Sequence, residues 1–154
     1  MKKTKPDSAP SAYTIDSSRI AILSLEGHSS FANSKPATLT GKDLETIEQI
    51  LQQVLKVYNP NEKKQYEQIK KQNPESKIRE DNFVINLNRY KRQYIAFLNE
   101  KGEKEVWINC FCGDIDRNWQ NEIIFVRNGG NCFFNLKVNL NRGKYYELRV
   151  NGEA

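Results

Sequence analysis

The chain is 154 residues long, enough for one domain and too short for two ordinary ones. Apolar residues make up 38% and charged residues 28%, and two Trp, seven Tyr and seven Phe argue against disorder over most of the length. No apolar run approaches the roughly 18–20 residues that a membrane-spanning helix needs. The net charge of +5 is dispersed: Lys2, Lys3 and Lys5 lie at the start, Lys63, Lys64, Lys70, Lys71 and Lys77 alternate with Glu62, Glu67 and Glu75, and Arg89, Lys91 and Arg92 form a third group. A nucleic-acid reader gathers its basic residues on one face with aromatics for stacking, so this pattern argues for a solvated surface instead.

Residues 1–17, MKKTKPDSAPSAYTIDS, hold two Pro and little apolar material and read as a disordered tail or tether. The basic start is not followed by the apolar stretch of a signal peptide. The segment fits a cytosolic tail, and it fits equally the polar tether that follows a removed export signal. Residues 18–154 are expected to form a single domain.

Within it, Arg19–Glu26 carries the short apolar run of a strand and Gly27–Thr38 reads as a loop. Thr40 then caps a helix, with Asp43 in the place of the usual capping-box acid. Leu44, Ile47, Leu51, Val54, Leu55 and Tyr58 form one apolar stripe at spacings of three and four. Asn59-Pro60 is expected to stop this helix, with a short surface helix following over Asn61–Gln72. Phe83, Ile85 and Leu87 alternate as in a short extended segment.

The rest reads as strands with explicit turns. Gln93–Asn99 and Glu103–Cys112 flank Glu100-Lys101-Gly102; Glu122–Arg127 and Cys132–Leu140 flank Asn128-Gly129-Gly130-Asn131; Lys137–Leu140 and Lys144–Val150 flank Asn141-Arg142-Gly143. Alternation puts Cys132, Phe134, Leu136, Val138 and Leu140 on one side and Asn135, Lys137 and Asn139 on the other. In the last strand Tyr146, Leu148 and Val150 are expected opposite Tyr145, Glu147 and Arg149. The fold class is therefore α+β, one long amphipathic helix packed on a curved antiparallel β-meander.

This element order resembles the cystatin-like and NTF2-like α+β rolls, which host many functions. The segments YKRQY (Tyr90–Tyr94), EKEVWINCFC (Glu103–Cys112), NGGNCFFNLKVNL (Asn128–Leu140) and YYELRVNGEA (Tyr145–Ala154) also resemble an uncharacterised family of small bacterial envelope, lipoprotein-like proteins. That resemblance implies an exported domain at the cell envelope or periplasm rather than the cytoplasm, and it carries no catalytic residues. The Gln-x-Val-x-Gly motif of inhibitory cystatins is missing, since Gln52-Gln53-Val54-Leu55-Lys56 lacks the glycine and lies in the helix.

Cys110 and Cys112 point to the same face of one strand about 7 Å apart, which disfavours a bond between them. Cys132 could neighbour either, so the three cysteines are candidates for one disulfide or for buried thiols. A zinc site would need a fourth ligand, and His28, the only histidine, lies in a distant loop. Without a second histidine, spacing supports no nucleophile–base pair. Asp114 and Asp116 could line the mouth of a pocket or sit in a solvated turn, and Gly129-Gly130 lacks the Lys-Ser/Thr of a phosphate loop. No residue is assigned to a cofactor or metal. Trp107 shares a face with Asn109 and Phe111, and with Phe133 and Tyr145 it forms the candidate interaction surface. The expected function is non-enzymatic binding of a protein or small ligand on the sheet; the alternative is a small NTF2-like enzyme or ligand carrier with a pocket inside the roll.

Overall fold

The computed structural model describes residues 16–28, 31, 33–115 and 117–152. The segment 1–15, Asp116 and residues 153–154 lie outside the described residues. A short 3-10 turn at Ser17–Arg19 opens the chain, with the Asp16 side chain accepting from the Ser18 amide.

One helix, α1 (Gly41–Gln72), faces a six-stranded, mostly antiparallel open sheet of β1 (Ile20–Ile22), β2 (Lys35–Pro36), β3 (Tyr90–Leu98), β4 (Lys104–Cys112), β5 (Phe133–Asn139) and β6 (Lys144–Val150). The α+β class holds. The strand order is β1-β3-β4-β5-β6, and β2 pairs with the far end of β3. β1 runs parallel to β3, so the expected strand at Arg19–Glu26 reduces to three residues on an edge. The Gly27–Thr38 stretch, expected as loop, contains β2.

The N-terminus of α1 is built as the residues foretell. Thr40 accepts from the Asp43 amide, and Asp43 accepts from the Thr40 amide, so two free helix donors are satisfied reciprocally. The Lys104 ammonium reaches Asp43 at 2.7 Å and ties this end to β4. The C-terminal half differs from expectation, because α1 runs unbroken for 32 residues with Pro60 inside it. Pro60 deprives the Lys56 carbonyl of its partner, but both residues face solvent, where water can replace the lost bond. On the other side of the helix, Asn59 donates to and accepts from the Ile85 backbone at 2.9 Å each. Two turns further on, Tyr66 packs on Phe83. Tertiary anchors on both flanks outweigh the local preference to stop.

The expected extended segment at Phe83–Leu87 forms no strand; it links two 3-10 turns, Glu80–Asn82 and Leu87–Arg89, and Asn59 pins Ile85 within it. The β3–β4 hairpin is as expected, nine pairs long from Tyr90↔Cys112 to Leu98↔Lys104. No strand forms at Glu122–Arg127, and β5 pairs directly with β4. The described residues 113–115 and 117–129 are an irregular connection rather than half of a hairpin. Asn141-Arg142-Gly143 does turn β5 into β6, the free edge of the sheet.

Two apolar clusters sandwich the sheet. On one face Ile47, Leu51, Val54 and Leu55 of α1 meet Tyr94, Ile108, Phe134 and Leu136. On the other, Ala21, Leu23 and Phe31 cover Ile95 and Phe97, with Trp107, Trp119 and Ile123 packed at the margin. An ion pair, Arg92–Glu48, joins β3 to α1 inside the first layer, with side chains only 9% and 5% exposed.

Candidate functional site

The second face of the sheet is only partly covered, and a cleft of about 440 Å³ remains there. Its floor comes from three strands in register: Trp107 of β4 lies opposite Lys137 of β5, and Asn135 of β5 lies opposite Arg149 of β6. Directly paired residues share a face, so these four side chains rise on the side away from α1. Phe31 walls one side, its ring 6.5 Å from that of Trp107 and edge-on to it. Ile123 and Phe125 wall the other, and Phe125 is 72% exposed at the rim.

The wall that carries Ile123 and Phe125 has no strand partner to satisfy its backbone. Two side chains from the sheet do so instead. Gln93, fully buried, donates to the Trp119 and Glu122 carbonyls at 2.6 and 2.5 Å and accepts from the Ile124 amide at 3.0 Å. Asn109 donates to the Ile124 carbonyl at 2.7 Å and to Gln93 at 3.0 Å. Asn151 holds the far end through the Val126 and Asn128 carbonyls. A disulfide between Cys112 and Cys132, Cα atoms 5.0 Å apart, closes the base of this connection.

Cys110, the third cysteine, is a buried free thiol between Arg92 and Phe134 on the helix side. Burial pushes it up to about 12, so it stays protonated at neutral pH and is no ready nucleophile. The cysteines therefore divide between the two states their spacing allowed.

The residues expected to share an interaction surface are not brought together as one exposed patch. Trp107 floors the cleft. Phe111 is fully buried, with the Trp119 ring edge-on at 5.9 Å and the Lys91 ammonium 5.3 Å beyond on Trp119. Phe133 pairs with Phe111 and is half-buried beneath Gly129, where any Cβ would meet its ring at 2.5 Å. Tyr145 changes face altogether. Lys137 pairs with Tyr146 and Asn135 with Arg149, so β6 spends one extra residue across this interval. Glu147, at φ 54°, is the bulge. The bulge places Tyr145 opposite Val138 on the helix side and puts Tyr146 on the cleft side.

Asp114 lies in a separate surface groove with Arg19, Arg89 and Lys91, not in the interior. His28 lines the cleft. A larger groove, about 730 Å³, runs between α1 and residues 80–88, but no aromatic side chain lines it. Among the described residues no group of three or more His, Cys, Asp or Glu could hold a metal ion, and no helix is long and apolar enough to cross a membrane.

In chemical terms the cleft offers aromatic surface, two cations and one amide. The Asn135 amide makes no side-chain hydrogen bond among the described residues, and Lys137 meets Glu147 at 3.5 Å across the bulge. Lys137, Asn135 and Arg149 were legible only as the polar side of an amphipathic strand; the bulge that aims them carries no sequence signature beyond β6's loss of alternation. No protein-family model, curated protein or solved structure matches the chain.

Proposed function

We propose that this chain is a small non-enzymatic binding domain that takes its ligand on the sheet face opposite the helix, over Trp107. The observation that carries the reading is the contrast between the two faces. The space between α1 and the sheet is filled by Ile47, Leu51, Val54, Tyr94, Ile108 and Leu136. The opposite face keeps an open cleft of a volume that suits a small ligand, with aromatic walls and a few convergent polar groups. A carrier or enzyme of the roll type would need its pocket in the space those six side chains occupy.

The Cys112–Cys132 bond supports an exported domain, in line with the envelope proteins that the sequence resembles in part, because structural disulfides persist in oxidising compartments. Intact mass of the native protein, alkylated with and without prior reduction, tests this arm. Two thiols blocked until reduction are expected; three free thiols overturn it.

Binding is tested by two-dimensional NMR with a neutral aromatic probe, 2-naphthalenemethanol, titrated to millimolar concentration. The expected shifts centre on the Trp107 indole and the amides of Phe31, Ile123 and Phe125. Shifts centred on Ile108 and Leu136, or none at Trp107, overturn the reading.

A further inference from the structure

The cleft over Trp107 carries a charge pattern that narrows what it binds, and we infer that its ligand is a small organic anion: a carboxylate or comparable acid attached to a flat apolar group. This inference rests on the cleft being the binding site. Its own argument is one of charge and position.

The polar groups are gathered at one end. Arg149, Asn135 and Lys137 come from neighbouring positions of β5 and β6 on a single face, while Phe31, Ile123 and Phe125 line the other sides. Trp107 lies between these two regions, directly opposite Lys137. Of the two cations, Lys137 is engaged by Glu147 at 3.5 Å and stands 5.8 Å from the Tyr146 ring. Arg149 has no carboxylate within ion-pair distance among the described residues. Its guanidinium is a fork with two parallel donors that match a carboxylate, and an unpaired fork is the group an incoming acid can use. The Asn135 amide, directly across from it, adds a neutral donor.

Glu147 sets the opposite limit. It occupies the bulge beside the cations and is half-exposed, so it repels a second negative charge near Lys137. A monoanion with its acid on Arg149 and its flat group on Trp107 gains a cation and the aromatic floor and meets one opposing charge in the lining, Glu147, which Lys137 already engages. A cationic ligand would face two like charges with one carboxylate already engaged. The volume of about 440 Å³ admits a molecule of one or two rings rather than a folded segment.

Three probes of one shape separate the possibilities: 2-naphthoate, 2-naphthalenemethanol and 2-naphthylmethylamine, each titrated into the full chain and followed by Trp fluorescence and NMR. The acid is expected to bind about tenfold more tightly than the alcohol, with the amine weakest, since a charge-assisted bond at a partly exposed site keeps a fraction of its buried strength. Arg149→Gln removes the preference for the acid over the alcohol; Lys64→Gln, at an exposed lysine on α1, leaves that preference in place. Raising NaCl to 0.5 M narrows the gap between acid and alcohol. Acid and alcohol binding equally at Trp107, or an acid preference that survives Arg149→Gln, overturns the ligand class and leaves the binding-face reading standing. No probe shifting Trp107 overturns both.

Discussion

Reduction of the Cys112–Cys132 bond is the perturbation with the most direct consequence for the fold. The two cysteines stand 20 residues apart in sequence, and the described residues between them form no strand. In the chain-entropy description, a cross-link closing a loop of that length removes about 11 cal/mol/K from the unfolded ensemble, or about 3 kcal/mol at room temperature. The native side of the balance changes less, because Gln93, Asn109 and Asn151 grip the loop independently. For a domain of this size the urea dependence is about 2 kcal/mol per molar, so reduction is expected to lower the unfolding midpoint by about 1.5 M. The assay is urea unfolding by circular dichroism with and without a phosphine reductant. Cys112→Ser/Cys132→Ser should reproduce the reduced protein without reductant and show no further response to it. Cys110→Ala, which leaves the bond intact, should keep the full response. A midpoint that moves by less than about 0.3 M on reduction would refute the argument that this bond stabilises the fold by restricting the unfolded chain.

Replacing Gln93 with Leu should cost about 3 kcal/mol, because the Trp119 and Glu122 carbonyls and the Ile124 amide lose their partner together; hydrogen exchange at Ile124 should accelerate well before global unfolding. Glu48→Gln, which leaves the Arg92 charge buried without its counter-ion, should cost about 3–5 kcal/mol, whereas Glu48→Leu combined with Arg92→Met should recover most of that loss; a urea double-mutant cycle measures both. For Asp43, burial opposes ionisation, but the Lys104 ammonium and the Thr40 amide outweigh it and hold the carboxyl below its ordinary 3.8. A depressed folded-state pKa stabilises above the unfolded value and is lost as pH falls through the folded one. Asp43→Asn should therefore be less stable than the parent at pH 7 and converge with it as the pH falls below the ordinary 3.8 and through the lowered folded-state value, as read from unfolding midpoints across that range.

Where local chemistry decides the backbone, the sequence was sufficient. The Thr40–Asp43 cap, the turn at Glu100-Lys101-Gly102 and the alternation of Phe134, Leu136 and Val138 each depend on residues within a few positions of one another. The misreadings share one physical cause, the satisfaction of backbone groups by side chains distant in sequence. Asn59 reaches Ile85, 26 residues away, and in doing so both secures the helix beside Pro60 and removes any need for a strand at Phe83–Leu87. Gln93 and Asn109 do the same for residues 119–124, which run into the strand expected at Glu122–Arg127 but whose hydrogen bonds go to amide side chains. A buried Gln in the middle of an apolar strand is the one sequence clue to such an arrangement, since burial without partners would be costly.

The candidate site shows the same division at finer grain. Trp107 could be placed on the face away from the cysteines by counting alternate positions, and that placement holds along β4. Counting fails in β6, because one bulge residue inverts the phase between Tyr146 and Arg149. Without the bulge, strict alternation from Tyr146 would turn Arg149 toward the helix and leave the cleft with Lys137 as its cation, already engaged by an acid in the observed arrangement. The same bulge interrupts the free edge of the sheet with a residue at φ 54°, which discourages another strand from pairing there. The irregularity thus has two physical effects at once. It keeps the exposed edge from extending the sheet, and it puts Arg149 on the cleft face. Deleting Glu147 to restore regular pairing turns Arg149 away but frees Lys137, so any acid preference should then survive Arg149→Gln, while the chain becomes more prone to self-association.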